Sequence, residues 1–201
     1  MQANSIELAA AFTRSMRDEA DHIAAITADA FRNDPFNRWL FGNFEAMGIA
    51  FRGLARHIYT KRGFCYHLGD DGAAMWMLPG GDTSLPLVAL PAMLRSIMTS
   101  SRGGATRIQR TTDAMERHHP QFPHAYLFTI GVRPAARGKG MGGKLFRPVL
   151  EACDREGVPA YLENSNPDNT SFYRAQGFER VTMIHPVEGC PPLEAMLREP
   201  R

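Results

Sequence analysis

Between Leu127 and Glu156 the sequence changes character twice. Leu127-Phe128-Thr129-Ile130-Gly131-Val132 has the aromatic and β-branched content of a strand. Arg133-Pro134-Ala135-Ala136 follows, then Arg137-Gly138-Lys139-Gly140-Met141-Gly142-Gly143, and then a helix with Leu145, Phe146, Val149, Leu150 and Cys153 on one face. Glycines let successive backbone N–H groups turn toward one point, and the helix adds its positive N-terminal end. Arg137 and Lys139 add cationic charge. The strand–loop–helix unit is therefore expected to seat a phosphate or pyrophosphate. Pro148 lies inside the helix, where it removes a backbone bond at a cost of about 3 kcal/mol. A kink is expected after the first two turns, leaving the phosphate-binding end intact.

Two familiar phosphate motifs fit poorly. Gly138, Gly140 and Gly143 satisfy G-x-G-x-x-G, and Glu163 ends the next strand, where a dinucleotide-binding acid belongs. However, Arg133 to Arg137 separate strand from glycine, few residues follow Glu163, and the preceding half has meander character instead of repeated βα units. A nucleotide P-loop fails because no Gly-Lys-Ser or Gly-Lys-Thr is present.

Around this unit, Ile6 to Phe12 is expected to form a first strand or, given its alanines, a helix. Ser15 is expected to cap a helix that runs to about Phe31, with Asp18 in a capping box. Asn33-Asp34-Pro35 stops that helix, since a residue before proline avoids the α region. An aromatic cluster (Phe36, Trp39, Leu40, Phe41, Phe44) precedes a helix from Met47 to Thr60. Glycine turns bracket strands Phe64–Leu68 and Ala73–Leu78. Leu85 to His119 is helical with interruptions. After the strand 125–132 and helix 142–156 come a strand 159–163, a helix 167–176 closing at Gly177, and strands 178–186 and 193–197. The pattern predicts one mixed α/β domain over residues 1–201.

Composition excludes several classes. The chain has 201 residues, 44% hydrophobic and 22% charged, with a formal net charge of +2. No concentrated basic excess points to nucleic acid or a membrane surface, and no apolar run is long enough for a membrane span. The N-terminus lacks the ordered parts of a signal peptide. Cys65, Cys153 and Cys190 are unclustered and odd in number, which predicts buried, reduced thiols and a cytoplasmic setting. His118, His119 and His124 lack cysteine or carboxylate partners at ligand spacing, so no metal is expected and the His pair before Pro120 is assigned to a helix cap.

Arg137-Gly138-Lys139-Gly140-Met141-Gly142 after a strand ending Val132-Arg133-Pro134 resembles the acyl-CoA pyrophosphate loop of GCN5-related N-acetyltransferases (GNAT). Asn169, Tyr173 and Gly177-Phe178 are similar to that family's late helix and strand. Asn33-Asp34-Pro35, Trp76-Met77-Leu78-Pro79, His119-Pro120, Pro123-His124 and Leu162-Glu163-Asn164-Ser165 resemble the branch of puromycin N-acetyltransferase-like members. The resemblance implies a GNAT acyl-CoA N-acyltransferase fold, with a central, mostly antiparallel sheet flanked by helices. It implies acetyl-CoA as co-substrate and acetyl transfer to a primary amine, most simply that of a small molecule.

Several residue roles follow from it. Ile130, Gly131 and Val132 would splay from the neighbouring strand and line the pantetheine arm, with a bulge at Gly131. The loop from Arg137 through Gly142 and Gly143 would hold the pyrophosphate. Asn169 would bond the pantetheine amide from the same helix face as Tyr173. Tyr173 is the expected general acid for the departing thiolate. Glu163 is the candidate general base or, equally, a structural acceptor; Asp34 and His124 are weaker base candidates. Asp34, Trp39, Trp76 and His124 are the candidate acceptor-site residues. A non-catalytic acyl-CoA sensor and a protein N-terminal or lysine acetyltransferase remain alternatives, as does either a monomer or a homodimer.

Overall fold

The computed structural model describes residues 1–201. Its seven strands form one sheet: β1 Thr13–Arg14, β2 Phe64–Leu68, β3 Gly72–Met77, β4 Ala125–Val132, β5 Ala160–Asn164, β6 Glu179–Ile184 and β7 Leu193–Arg198, in spatial order β1-β2-β3-β4-β5-β7-β6. Every neighbouring pair is antiparallel except β4–β5. Helices cover both faces. They are α1 Ala20–Ala30, α2 Pro35–Phe41, α3 Phe44–Leu54, a short α4 Thr60–Arg62, α5 Leu90–Thr99, α6 Gly104–His118, α7 Met141–Glu156 and α8 Thr170–Ala175. The expected mixed fold with a mostly antiparallel sheet is thus the observed one.

Side-chain alternation along the strands divides the core in two. Met75, Met77, Tyr126 and Tyr161 pack toward α1 and α3, while Trp76, Leu127 and Leu162 pack toward α7. In α7, Leu145, Phe146, Val149 and Cys153 are fully buried. Burying a side chain such as Phe146 stabilises by about 1.5–3 kcal/mol, which offsets the proline defect. The helix accordingly runs through Pro148 as one element. The Tyr66 hydroxyl, from β2, donates to the Leu145 carbonyl just before that proline.

Two expectations for the N-terminal region are overturned. Ile6 to Phe12 is neither strand nor helix; the first paired residues are Thr13 and Arg14. Ser15 caps no helix, because its backbone N–H donates to the Cys65 carbonyl and extends the β1–β2 pairing. A 3-10 turn at Arg17–Glu19 leads into α1 without a side-chain cap. No helix is long and apolar enough to cross a membrane.

Candidate active site

β4 and β5 pair only from Ala125–Ala160 to Leu127–Leu162, yet both strands continue past that point. The splay has a local cause. In the β3–β4 register Met75 opposes Thr129 and Trp76 opposes Leu127, so Phe128 is an unopposed bulge residue. A bulge bends its strand, and beyond it the β5-facing edge of β4 is open. The bulge therefore lies at Phe128 and not at Gly131. Gly131 serves a different need: a Cβ there would sit 2.7 Å from the Ala30 Cβ, so glycine permits the close approach of α1 to β4.

The open edge forms one wall of a groove of about 550 Å3 that also contains Gly138, Gly140 and the first turn of α7. Gly138 and Gly140 have φ of 79° and 71°, which turns the loop so that Gly140 immediately precedes the helix. Met141, Gly142 and Gly143 contribute the free N–H groups of a helix start. Ile130, Gly131 and Val132 line the same groove, as do Asn169 and Tyr173 on the opposite side.

The two loop cations differ from their expected role. Lys139 is exposed and does not line the groove. Arg137 does, but its Nη2 donates to the Ala30 carbonyl at 2.7 Å and its Nε to the Val132 carbonyl at 3.2 Å. Its guanidinium thus clamps the loop to the C-terminal end of α1, where a cation is also favoured by the helix dipole.

A second, smaller cavity of about 80 Å3 lies next to the groove, lined by Phe36, Phe128, Met115, Leu162, Glu163 and Ser165 among others. Phe31, Ile130 and Tyr173 line both spaces, so Tyr173 stands at their junction. Burial, and secondarily the nearby Asp34 charge, raises the Tyr173 phenol well above its ordinary range and keeps it protonated. Glu163 presents a side chain only 3% exposed, with Oε1 3.6 Å from His119 Nδ1.

The candidate acceptor residues scatter. Asp34 lines the groove, not the small cavity, and both its oxygens are engaged: Oδ1 accepts from Asn37 N and Nδ2 at 2.8 Å each, Oδ2 from the Ser165 hydroxyl at 2.7 Å. A carboxylate so occupied is a latch and a helix cap, not a base. Trp76 is fully buried against Phe146 of α7, on the opposite sheet face. Trp39 packs at the edge of the α1–α3 core beneath Arg107, outside both spaces. His124 lies behind Glu163, its Nε2 3.1 Å from His119 Nε2. His119, assigned from sequence to a helix cap, does cap α6 with its backbone, yet its ring reaches Glu163. No group of three or more His, Cys, Asp or Glu side chains is placed to hold a metal ion.

All three cysteines are free and buried, and none lines either space. Burial pushes the Cys65 thiol up to about 12. Neither space therefore offers a cysteine nucleophile for a covalent intermediate.

A glycine-turned helix start beside an open parallel-strand edge is a geometry suited to a phosphate-bearing ligand with an extended arm. Residues 105–178 match the model of the acetyltransferase (GNAT) family. An uncharacterized N-acetyltransferase of Schizosaccharomyces pombe is 28% identical over 193 residues, covering 88% of this chain and 78% of that protein. The N-alpha-acetyltransferase RimI of Mycobacterium tuberculosis is 39% identical over 80 residues, covering 39% of this chain and 44% of its own length. A crystal structure of histone acetyltransferase HPA2 and related acetyltransferase from Corynebacterium glutamicum superimposes with a TM-score of 0.69 at 22% identity, covering 94% of this chain and 96% of that one. The fold is that of GNAT acetyltransferases, and the homologues indicate an acetyl-CoA-dependent N-acetyltransferase of that type.

Proposed function

We propose that the protein acetylates the primary amine of a small molecule by direct attack, with Tyr173 as general acid and Glu163 as general base. The observation that carries this reading is the position of Tyr173, which lines both the groove and the small cavity, with Glu163 in the cavity wall. Acetyl-CoA supplies the activated acetyl thioester, and the groove suits its phosphates and arm: a glycine cradle, free helix N–H groups and an unpaired strand edge. Met141 to Gly143 would hold the pyrophosphate, while Ile130 to Val132 and Asn169 would hold the arm.

The chain's own groups then divide the proton work. Glu163 takes a proton from the acceptor ammonium, freeing the nitrogen lone pair for the thioester carbonyl carbon; the C–N bond forms and the C–S bond breaks. Tyr173, kept protonated by burial, gives its proton to the leaving sulfur, and the second proton shed by the attacking nitrogen returns to the Tyr173 oxygen. The confined volume and the apolar lining of Phe36, Phe128, Met115 and Leu162 support a compact acceptor. The segments that resemble puromycin N-acetyltransferase-like members support the same class, although Trp76 in that set is a packing residue.

A peptide N-terminus is the second reading, favoured by the 39% identity to an N-alpha-acetyltransferase over 80 residues. Thiol release from acetyl-CoA, measured across small primary amines and short peptides in parallel, separates the two. The proposal expects turnover with the small amines; turnover with peptides alone would replace it. Amine-independent behaviour with tight acetyl-CoA binding would point to a sensor.

A further inference from the structure

Behind Glu163 stands a pair of histidines that the transfer steps above leave unused. Glu163 Oε1, 3.6 Å from His119 Nδ1, is a buried oxygen with no hydrogen-bond partner. His119 Nε2 lies 3.1 Å from His124 Nε2, and His124 Nδ1 lies 2.8 Å from the Phe122 carbonyl in an exposed contact.

The chemistry of these contacts fixes the tautomers. A carbonyl only accepts, so Phe122 holds His124 with its proton on Nδ1 and a lone pair on Nε2. His119 fills the 3.1 Å contact with its Nε2–H. Its Nδ1 lone pair then faces Glu163 Oε1, two acceptors separated by a gap that one added proton would satisfy. The rings are held in place by edge contacts: Tyr126 and Tyr161 against His119 at 4.8 and 5.2 Å, and Tyr161 against His124 at 5.6 Å.

Building on the acetyl-transfer reading, we propose that Glu163, His119 and His124 form a proton exit from the acceptor cavity to solvent. Converting an ammonium and a thioester to an amide and a thiol releases one proton overall, and an apolar cavity does not retain it. The carboxylate lone pair of Glu163 first bonds the ammonium proton. That proton passes to His119 Nδ1 as the O–H pair returns to the carboxylate. His119 gives its Nε2 proton to His124 Nε2, and the resulting imidazolium loses a proton to water. The proton lost is that on His124 Nδ1, whose contact is exposed, and the His119 side chain is 30% exposed, so water can return both rings to their starting tautomers.

The surrounding ionisable groups favour this direction. Glu163, Tyr126, Tyr161 and His124 face His119, and His119, Tyr161 and Glu163 face His124. Burial first, then the Glu163 charge, raises the Tyr126 and Tyr161 phenols, so neither competes for the proton. Burial lowers the His124 pKa, with His119 adding to the effect against the raising influence of Phe122 and Glu163, and a weakly basic terminal imidazole releases its proton readily. Both histidines serve the reaction through Glu163.

The test follows acetylated amine formed by the purified full-length protein carrying His119→Ala or His124→Gln, with and without added imidazole, beside acetyl-CoA affinity. The relay predicts a fall in kcat of about tenfold or more for His119→Ala and a smaller one for His124→Gln. Acetyl-CoA affinity should hold and imidazole should restore part of the His119→Ala loss. A kcat within twofold of wild type, or a loss that imidazole does not restore, overturns the relay. If His119→Ala fails to fold, nitrogen NMR of the wild-type imidazoles decides instead. Protonated His124 Nδ1 and His119 Nε2 support the relay, and the reverse tautomers overturn it. Wild-type protein that acetylates no amine overturns the parent reading and the relay together. Wild-type turnover with unaffected histidine variants overturns the relay alone.

Discussion

Ser165 donates its hydroxyl to Asp34 Oδ2 at 2.7 Å, joining the start of α2 to the turn after β5 across 131 positions of sequence. Asp34 lines the groove and Ser165 the small cavity, so the bond ties together the walls of the two spaces. Asp34→Ala removes this tie and the α2 cap, and should cost about 1–2 kcal/mol of stability. Asp34→Asn keeps an Oδ1 acceptor for Asn37 N and should cost much less. Burial raises the Asp34 carboxyl from 3.8 despite its hydrogen bonds. An acid so raised holds its proton more tightly folded than unfolded. Its contribution is therefore most favourable at low pH and declines as pH rises through the folded value. Denaturant unfolding from acidic to neutral pH should show that decline in wild type and its absence in Asp34→Asn.

The loop makes a contrast between neighbours. Gly140 adopts φ 71° at the head of α7, a conformation that a β-branched side chain resists by about 1–2 kcal/mol. Gly140→Val should therefore weaken acetyl-CoA and CoA alike by about tenfold or more, whereas exposed Lys139→Ala should change affinity by less than about threefold. Thermal-shift titration with acetyl-CoA, CoA and NADPH measures this, since a ligand that binds the folded state raises the midpoint. A shift with NADPH and none with the CoA compounds would contradict the groove assignment.

His124 gives a stability signature with the opposite sign. Its folded pKa lies below 6.5, chiefly through burial, so the unfolded chain binds the proton first on acidification. Stability from this site should be present above about 6.5 and fall as pH drops below it. In His124→Gln that segment of the pH–stability curve should flatten; an unchanged slope would show that another group produces it.

The groove was more legible in the sequence than the small cavity beside it, for a physical reason. The loop, β4 and α7 are a contiguous stretch whose glycines, charges and apolar periodicity are local signals, and β4 was expected over the same residues, 125–132, that it occupies. The small cavity is made where distant segments meet. Trp76 and Trp39 are equal as letters, but strand alternation turns Trp76 toward α7, while Met75 and Met77 face the other layer. His119 offered no local clue beyond its place before Pro120. Its carboxylate partner, Glu163, arrives only through the β4–β5 pairing that sets Tyr126 beside Tyr161. Gly131 pointed to a bulge, yet the extra residue is Phe128, which stacks on Tyr59 at 4.2 Å. Where a bulge falls depends on register with β3, a non-local property.

In the proposed reaction Tyr173 protonates the leaving sulfur at the junction of groove and cavity. The most direct measurement is kcat for amine acetylation by Tyr173→Phe, with acetyl-CoA affinity determined on the same protein. Phenylalanine keeps the ring's contacts with Phe146 and Phe178 and removes only the hydroxyl. With Tyr173 as the acid, kcat falls by about 10²–10⁴ and affinity is nearly unchanged. Unchanged kcat would contradict this and remove Tyr173 as the acid.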